Sequence, residues 1–421
     1  MAIVQLQSTN PQLSFIIKKN PGSGMLLRSI RKGTAYGWYT DDTTFNVYFK
    51  DADNEISYKQ HEQEEFEYLN VSRYNTPLFP LHAINEFFST PLKAQDARDT
   101  DGYRHTFFIN MIHVERVRYV ELFNQHLKDF TFELEHRAHK SYSLTISTER
   151  SLYQLLHVTS VLCLFLAMFG PEELDVADSL LDKYIKSIQI IDAPFYIRSL
   201  FVRHFLSSRD RFRAYKGALE RTDRYEIQFE FGGTGMQRRN YIGSILPFNK
   251  SILDVGCGEG FYALPFAGKL EDSYYAVDIN EELLESVQRK AQAKDIDNIA
   301  IFASLDRFLE QYNGEQVDVI LTEVIEHMSL EEARELIRQI CTQVHFEHFI
   351  ITTPNADFNR YYELEGFRHD DHKWELGEGA FQQWLTESVL ENGLDYEFVA
   401  VGEGVNHIRT TQGVILRRKG A

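Results

Sequence analysis

Apolar and polar residues change their spacing along this chain in stages, and each stage predicts a different kind of element. Up to about residue 90 the apolar positions form short strand-like pieces, YGWYTD at 36–41 and TFNVYFKD at 44–51. Gly and Asp-Asp punctuate them, and the aromatic-rich RYNTPLFPLHAINEFF at 73–88 follows. FFINMIHVERVRYVELF at 107–123 fits either helix or strand, whereas FTFELEHRAHKSYSLTIST at 130–148 alternates as paired strands do. Between about 150 and 222 the apolar spacing is helical, with boundaries at Gly170-Pro171 and Ala193-Pro194. FGGTGMQRR at 231–239 reads as a flexible joint, which places a domain boundary near residue 230. The chain is therefore expected to open with an α+β amino-terminal domain over residues 1–230.

From 231 to 421 the pattern alternates strand and helix, as in a doubly wound parallel sheet. SILDVG, YYAVDI, IAIFAS, VDVILTEV and HFIITTP are short apolar runs separated by helical stretches. YEFVAVGEG and GVILRRK then close the chain as two extended runs. A nicotinamide-binding sheet usually ends in parallel units, so a terminal hairpin with an antiparallel last strand favours methyl transfer.

Composition narrows the reading. A length of 421 residues exceeds what one core usually serves, in agreement with two domains. The longest apolar run, VTSVLCLFLAMF at 158–169, is too short to span a bilayer and predicts a buried helix. With no export-signal pattern at the start, the chain is expected in the cytoplasm, away from membranes. Cys163, Cys257 and Cys341 show no paired spacing, which excludes a disulfide framework and a thiolate metal site and predicts reduced thiols. The net charge of −18 runs against a nucleic-acid enzyme, but Arg198, Arg203, Arg209, Arg211, Arg213, Lys216, Arg221 and Arg224 form a local basic stretch. That stretch reads equally as an RNA track or as a solvated helix face.

In Asp254-Val-Gly-Cys-Gly-Glu-Gly260, glycines at 256, 258 and 260 let the backbone approach a ligand at the carboxyl end of a strand. A diphosphate would call for G-x-G-x-x-G; here the spacing is G-x-G-x-G after an acid, which suits the ammonium of an amino-acid tail. Asp254 can serve directly or through the shape of the loop. Asp278 ends the next strand, where a carboxylate accepts hydrogen bonds from ribose hydroxyls. This arrangement resembles the class I S-adenosylmethionine methyltransferases. Ser304 and Leu305, after the third strand, are candidates for adenine contact or for simple packing.

LTEVIEHM places Glu323 at a strand end with Glu326 and His327 three and four residues on, offsets that share one helical face. Two carboxylates and an imidazole gathered there, with no Lys or Arg nearby in sequence, call for a cation. Thr353-Pro354-Asn355 ends the fifth strand, and Arg368-His-Asp-Asp-His-Lys-Trp-Glu375 follows it. The four segments DVGCGEG, TEVIEH, TPN and RHDDHKWE, in that order, resemble the Hua-enhancer family of RNA 3′-terminal ribose 2′-O-methyltransferases. The resemblance covers the second domain and extends more weakly into the first.

The resemblance implies Mg²⁺ or Mn²⁺ bound by Glu323, Glu326, His327 and His372, with Asn355 and Arg368 at the substrate. It also implies an RNA 3′ end as acceptor and, from the bacterial relatives, a polynucleotide kinase-phosphatase-ligase partner in RNA repair. The chain departs from the family after His372, where Phe-Glu-Trp followed by Thr or Ser and Arg is replaced by Trp374-Glu375-Leu376-Gly377-Glu378. A divalent ion touching both vicinal oxygens would lower the pKa of the 2′-hydroxyl and position it, which makes a free vicinal diol the required substrate feature. His327 or His369 is the candidate proton acceptor, although a ligating nitrogen cannot also take the proton. The rival readings are a methyltransferase of small molecules or proteins, and a scaffold that activates an RNA ligase.

Overall fold

The computed structural model describes residues 2–30, 33–50, 74–170, 178–363, 366–388 and 394–418. The chain divides into two compact units, one up to Arg224 and the other from Tyr225 onwards.

The first unit is built on an antiparallel sheet with strands β1 (Ala2–Ser8), β2 (Leu26–Ile30), β3 (Gly33–Asp41), β4 (Thr44–Lys50), β5 (His105–His113), β6 (Phe130–Ala138) and β7 (Ser141–Thr148). Their order is β2-β3-β4-β1-β5-β7-β6. The ambiguous stretch at 107–123 is both things in turn, since β5 runs into a helix at Arg118–His126. The run at 158–169 lies in the helix Leu152–Met168, which buries nearly every residue; an element apolar on all sides has to lie inside the unit.

The basic stretch resolves into a paired helical surface and one buried cation. Arg198 is fully buried and donates to the carbonyls of Ala193, Leu219 and Arg221 and to Asp192 Oδ1. Arg211 pairs with Asp178 at 3.0 Å, Lys216 with Glu220 at 3.5 Å and Arg224 with Asp192 at 2.9 Å. Arg211, Lys216 and Arg224 thus face carboxylates.

The second unit carries strands β8 (Ile227–Gln228), β9 (Ile252–Val255), β10 (Tyr274–Val277), β11 (Ile299–Phe302), β12 (Val317–Thr322), β13 (Phe346–Pro354), β14 (Leu394–Val405) and β15 (Ile408–Arg418). The order is β11-β10-β9-β12-β13-β15-β14-β8. The strands β9 to β13 are parallel, and β15 joins β13 antiparallel, as the closing hairpin predicts. Alternate residues feed two separate cores: Leu253, Val319, Leu321, Ile351 and Val414 face one, while Ile252, Ile320, Ile350 and Ile415 face the other. Burial on both faces is why these strands read as unbroken apolar runs.

The segment expected to be a flexible joint is ordered. Gly232 takes a left-handed conformation (φ +87°) and Gly233 caps a helix at Thr234–Ile245, so these glycines start a helix instead of forming a hinge. The division between units accordingly falls before this segment, at Arg224 and Tyr225, short of residue 230.

Candidate active site

The first part of the site is the loop leaving β9. Gly256, Gly258 and Gly260 all have positive φ, +79°, +51° and +79°. A Cβ at 256 would stand 2.3 Å from Val324 Cγ2, and one at 260 would stand 3.0 Å from Val287 Cγ2. Position 258 has open space, so there the glycine answers to backbone conformation alone. The amides of Gly256 and Cys257 both donate to the Val277 carbonyl, and Gly258 N–H donates to Asp278 Oδ2 at 2.8 Å. Asp278 thus shapes the glycine loop from the end of the neighbouring strand.

Asp254 is fully buried and accepts the Tyr274 hydroxyl at 2.7 Å. Burial, opposed by that hydrogen bond and reinforced by the charge of Asp278, pushes its carboxyl up to about 7. Ser304 accepts from Arg307 N–H as the cap of the helix Leu305–Leu309, and Leu305 packs in the core, so both side chains are engaged structurally. Directly after Asp278, Ile279 is 90 % exposed.

The second part is the turn after β12. Glu323 takes φ +54°, a conformation costly for a residue with a Cβ, and donates its amide to the Thr352 carbonyl. The chain then enters a short 3₁₀ turn, Ile325–His327, in which Ile325 is buried in the core. A left-handed residue followed by a 3₁₀ turn, instead of a regular helix, presents Glu323, Glu326 and His327.

Glu326 is fully buried. Its Oε2 accepts the Thr353 hydroxyl at 3.1 Å, and its Oε1 has no hydrogen-bond partner among the described residues. Burial first, and the charge of Glu323 second, push its carboxyl up to about 8. Lys373 N–H donates to the Glu326 carbonyl at 2.8 Å, which brings the loop carrying His372 against this turn. The rings of His327 and His372 stand 4.8 Å apart at 84°, and those of His369 and His372 5.1 Å apart. Ligand atoms of Glu326, His327 and His372 all lie within 4.8 Å of one another.

The second contacts of these groups set their chemistry. His372 Nδ1 donates to Glu375 Oε1 at 2.6 Å, and His327 Nδ1 lies 3.1 Å from Asp371 Oδ2 in an ion-pair contact. His372 then keeps an Nε2 lone pair for a cation. A buried carboxylate with an unpaired oxygen beside two imidazoles is a donor set that fits a divalent ion. Glu323 lies outside this trio: its Oε1 accepts from Thr352, and its Oε2 pairs with Arg238 at 3.2 Å. Arg238 comes from the helix Thr234–Ile245, so the cluster does have a basic neighbour, contrary to the expectation from nearby sequence. Local spacing cannot report a partner 85 residues away.

Asn355 and Arg368 are fastened to the frame of the site. Asn355 caps the 3₁₀ turn Ala356–Tyr362, while Arg368 donates to the Asn355 carbonyl and to Asn359 Oδ1, each at 2.8 Å. Glu375, which orients His372, also accepts the Arg368 amide at 2.7 Å and the Asn359 side chain at 2.6 Å. Replacing Glu375 by Ala should therefore weaken divalent-metal binding by about ten- to a hundred-fold, measured by Mn²⁺ titration calorimetry. Unchanged affinity would show that His372 needs no such support.

The Hen1 N-terminal domain matches residues 3–224, more than half of the chain. The chain belongs to the Hen1 family. A methyltransferase-domain family matches residues 252–345 of this Hen1 chain. Its relatives include the small RNA 2′-O-methyltransferase of Caenorhabditis elegans, 30 % identical over 179 residues, which cover 36 % of this chain and 40 % of that protein. The Xenopus tropicalis small RNA 2′-O-methyltransferase is 39 % identical over 85 residues, 19 % of this chain and 22 % of that one. The Hen1 chain thus spans less than half the length of these curated relatives. A chain of the Pnkp1/Rnl/Hen1 RNA repair complex matches it over 99 % of this chain and 100 % of that one, with TM-score 0.82 and 25 % identity.

Three residues of this Hen1 site escaped the sequence reading. Arg238 sits in a glycine-flanked segment that reads as a joint. Glu375 ends the RHDDHKWE segment, but nothing in the sequence gives it a role. Ile279 continues a strand-like alternation and so looks like core.

Proposed function

We propose that this chain transfers a methyl group from S-adenosylmethionine to the 2′-hydroxyl of the 3′-terminal ribose of an RNA, at an acceptor site organised by a divalent cation. The observation that carries the reading is the buried Glu326 oxygen, unpaired beside His327 and His372, on the turn whose Val324 packs against Gly256 of the donor loop.

The donor half is supported by side chains excluded from the glycine loop and by an apolar surface at Ile279 on which a base can rest. Asp278 keeps acceptor capacity for ribose hydroxyls beyond its bonds to Gly258 and Asn280. In the acceptor half, Glu326, His327 and His372 would hold the cation, with Glu323 beside them. When bound, such an ion supplies the positive charge that lowers a hydroxyl pKa and fixes vicinal oxygens. Carboxylate mixed with imidazole suits Mn²⁺ at least as well as Mg²⁺. His369 is exposed and free of the trio, which makes it the better placed of the two histidines to take the proton. Arg368 and Asn355 fix the rim against which the RNA end would sit.

The test is transfer of labelled methyl to short RNAs differing only at the 3′ end. Ends with 2′- and 3′-hydroxyls should be labelled, and 3′-deoxy or 3′-phosphate ends at least about a hundred-fold more slowly. Equal labelling of the 3′-deoxy end would rule out recognition of the vicinal diol.

For the amino-terminal unit we propose engagement of a kinase-phosphatase-ligase repair partner. The full-length likeness to a chain of the Pnkp1/Rnl/Hen1 RNA repair complex supports it. Among the described residues, no helix is long and apolar enough to cross a membrane.

A further inference from the structure

Four large exposed apolar side chains stand out among the described residues of the second unit, Phe261 at 44 %, Ile279 at 90 %, Phe367 at 48 % and Tyr396 at 48 %. Tyr396 lies on the terminal hairpin beside Phe398, whereas Phe261 follows Gly260, Ile279 follows Asp278, and Phe367 precedes Arg368. Three of the four therefore border the site. Phe261 is already covered by the Arg239 guanidinium, 4.4 Å from its ring centre, and Ile279 belongs to the donor side. Phe367 is the apolar group on the acceptor side.

The exposure of Phe367 does not come from a loose backbone. Asn359 Nδ2 donates to the carbonyl of Gly366 on one side, and the Arg368 amide donates to Glu375 Oε1 on the other. Asn359 and Glu375 are themselves buried. The segment is thus held by buried polar groups while its phenyl ring stays in solvent. A half-exposed ring on a fixed backbone at the edge of the site offers its face to a bound ligand.

The place of this ring is set by Glu375. One oxygen, Oε1, accepts both the Arg368 amide at 2.7 Å and His372 Nδ1 at 2.6 Å. The backbone next to Phe367 and the imidazole of His372 therefore stand within a few ångströms of each other. A ribose held at Glu326 and His372 carries its base on C1′, within reach of this rim. Single-stranded RNA ends are bound chiefly by stacking of unpaired bases on aromatic rings.

We propose that Phe367 is the stacking platform for the base of the 3′-terminal nucleotide. The inference rests on the RNA reading above. It assigns the residue a binding and positioning role: the ring holds the base and thereby the ribose, with no part in the chemistry. Stacking is indifferent to base identity, so the platform accepts any of the four bases and discriminates against an end that lacks one.

The test pairs Phe367→Ala and Phe367→Tyr with two RNAs, one ordinary and one ending in a ribose that keeps its 2′- and 3′-hydroxyls but has no base. Phe367→Ala should raise KM for the ordinary end about ten-fold or more with kcat nearly unchanged, and Phe367→Tyr should restore it. On the baseless end, wild type and Phe367→Ala should have the same, weakened KM. Equal losses for Phe367→Ala on both ends would mean that the ring only supports the loop, and no loss on either end would remove it from binding. An RNA with 2-aminopurine at its 3′ terminus reads stacking without any methyl transfer. Its fluorescence should be quenched by wild type and recover in Phe367→Ala, and quenching that persists in the variant overturns the proposal. If wild type labels no RNA at all, the methyl-transfer reading fails, while the fluorescence still decides the stacking.

Discussion

Glu326→Gln should reduce methyl transfer by about a thousand-fold or more and, in the metal-free protein, raise the melting temperature at pH 8. The first effect follows from losing the one anionic donor of the trio, since an amide is a poor ligand for a divalent ion. The second follows from burial. A carboxyl that titrates near 8 when folded and near 4.5 when unfolded holds its proton more tightly in the folded state. Its contribution to stability is whole below about pH 4.5 and is lost as the pH rises through 8. Asp254, raised to about 7 by its own burial, acts in the same direction. Wild type in chelator should therefore melt lower at pH 8 than at pH 5, Glu326→Gln should show less of that fall, and Mn²⁺ should restore wild type only. A variant less stable than wild type at pH 8 would mean that the carboxylate is compensated in a way the structure does not contain.

Gly256→Ala should destabilise the second unit by about 2–4 kcal/mol and weaken S-adenosylmethionine binding at least about ten-fold. Two costs add at this position: a side chain forced to φ +79°, and a Cβ 2.3 Å from Val324 Cγ2. Relief of the overlap shifts either the loop amides bonded to Val277 or the turn that carries Glu323 and Glu326. Gly258→Ala meets no neighbour and should lose only the conformational part. Adding Val324→Ala to Gly256→Ala should return part of the stability, because the pair is in contact and its effects do not add. Thermal melts and equilibrium binding of the cofactor measure both. Equal losses at 256 and 258 would refute the overlap.

The parts of the fold legible in sequence are those whose pattern is enforced locally. The strands β9 to β13 could be read because burial on both faces leaves them no polar position to blur the run, and the glycine loop because positive φ excludes most other residues. Asp254, Asp278 and Glu326 stood out through spacing to those strand ends, whereas His372 came from the family resemblance. What sequence did not show depends on partners distant along the chain. Periodicity at 107–123 averages a strand and the helix that follows it, so neither period dominates. The contact of Arg238 with Glu323 joins a helix before β9 to a turn after β12. Glycines at 232 and 233 look alike whether they loosen a joint or begin a helix, and the burial of Gln237 in the helix they begin separates the two.

The sharing of Glu375 by His372 and the Arg368 amide has a thermodynamic consequence. One carboxylate oxygen cannot move toward either donor without disturbing the other, so on the function proposed above cation binding at His372 and RNA binding beside Arg368 should be linked. By reciprocity, whatever factor an RNA end imposes on the affinity for Mn²⁺, the ion imposes on the affinity for that end.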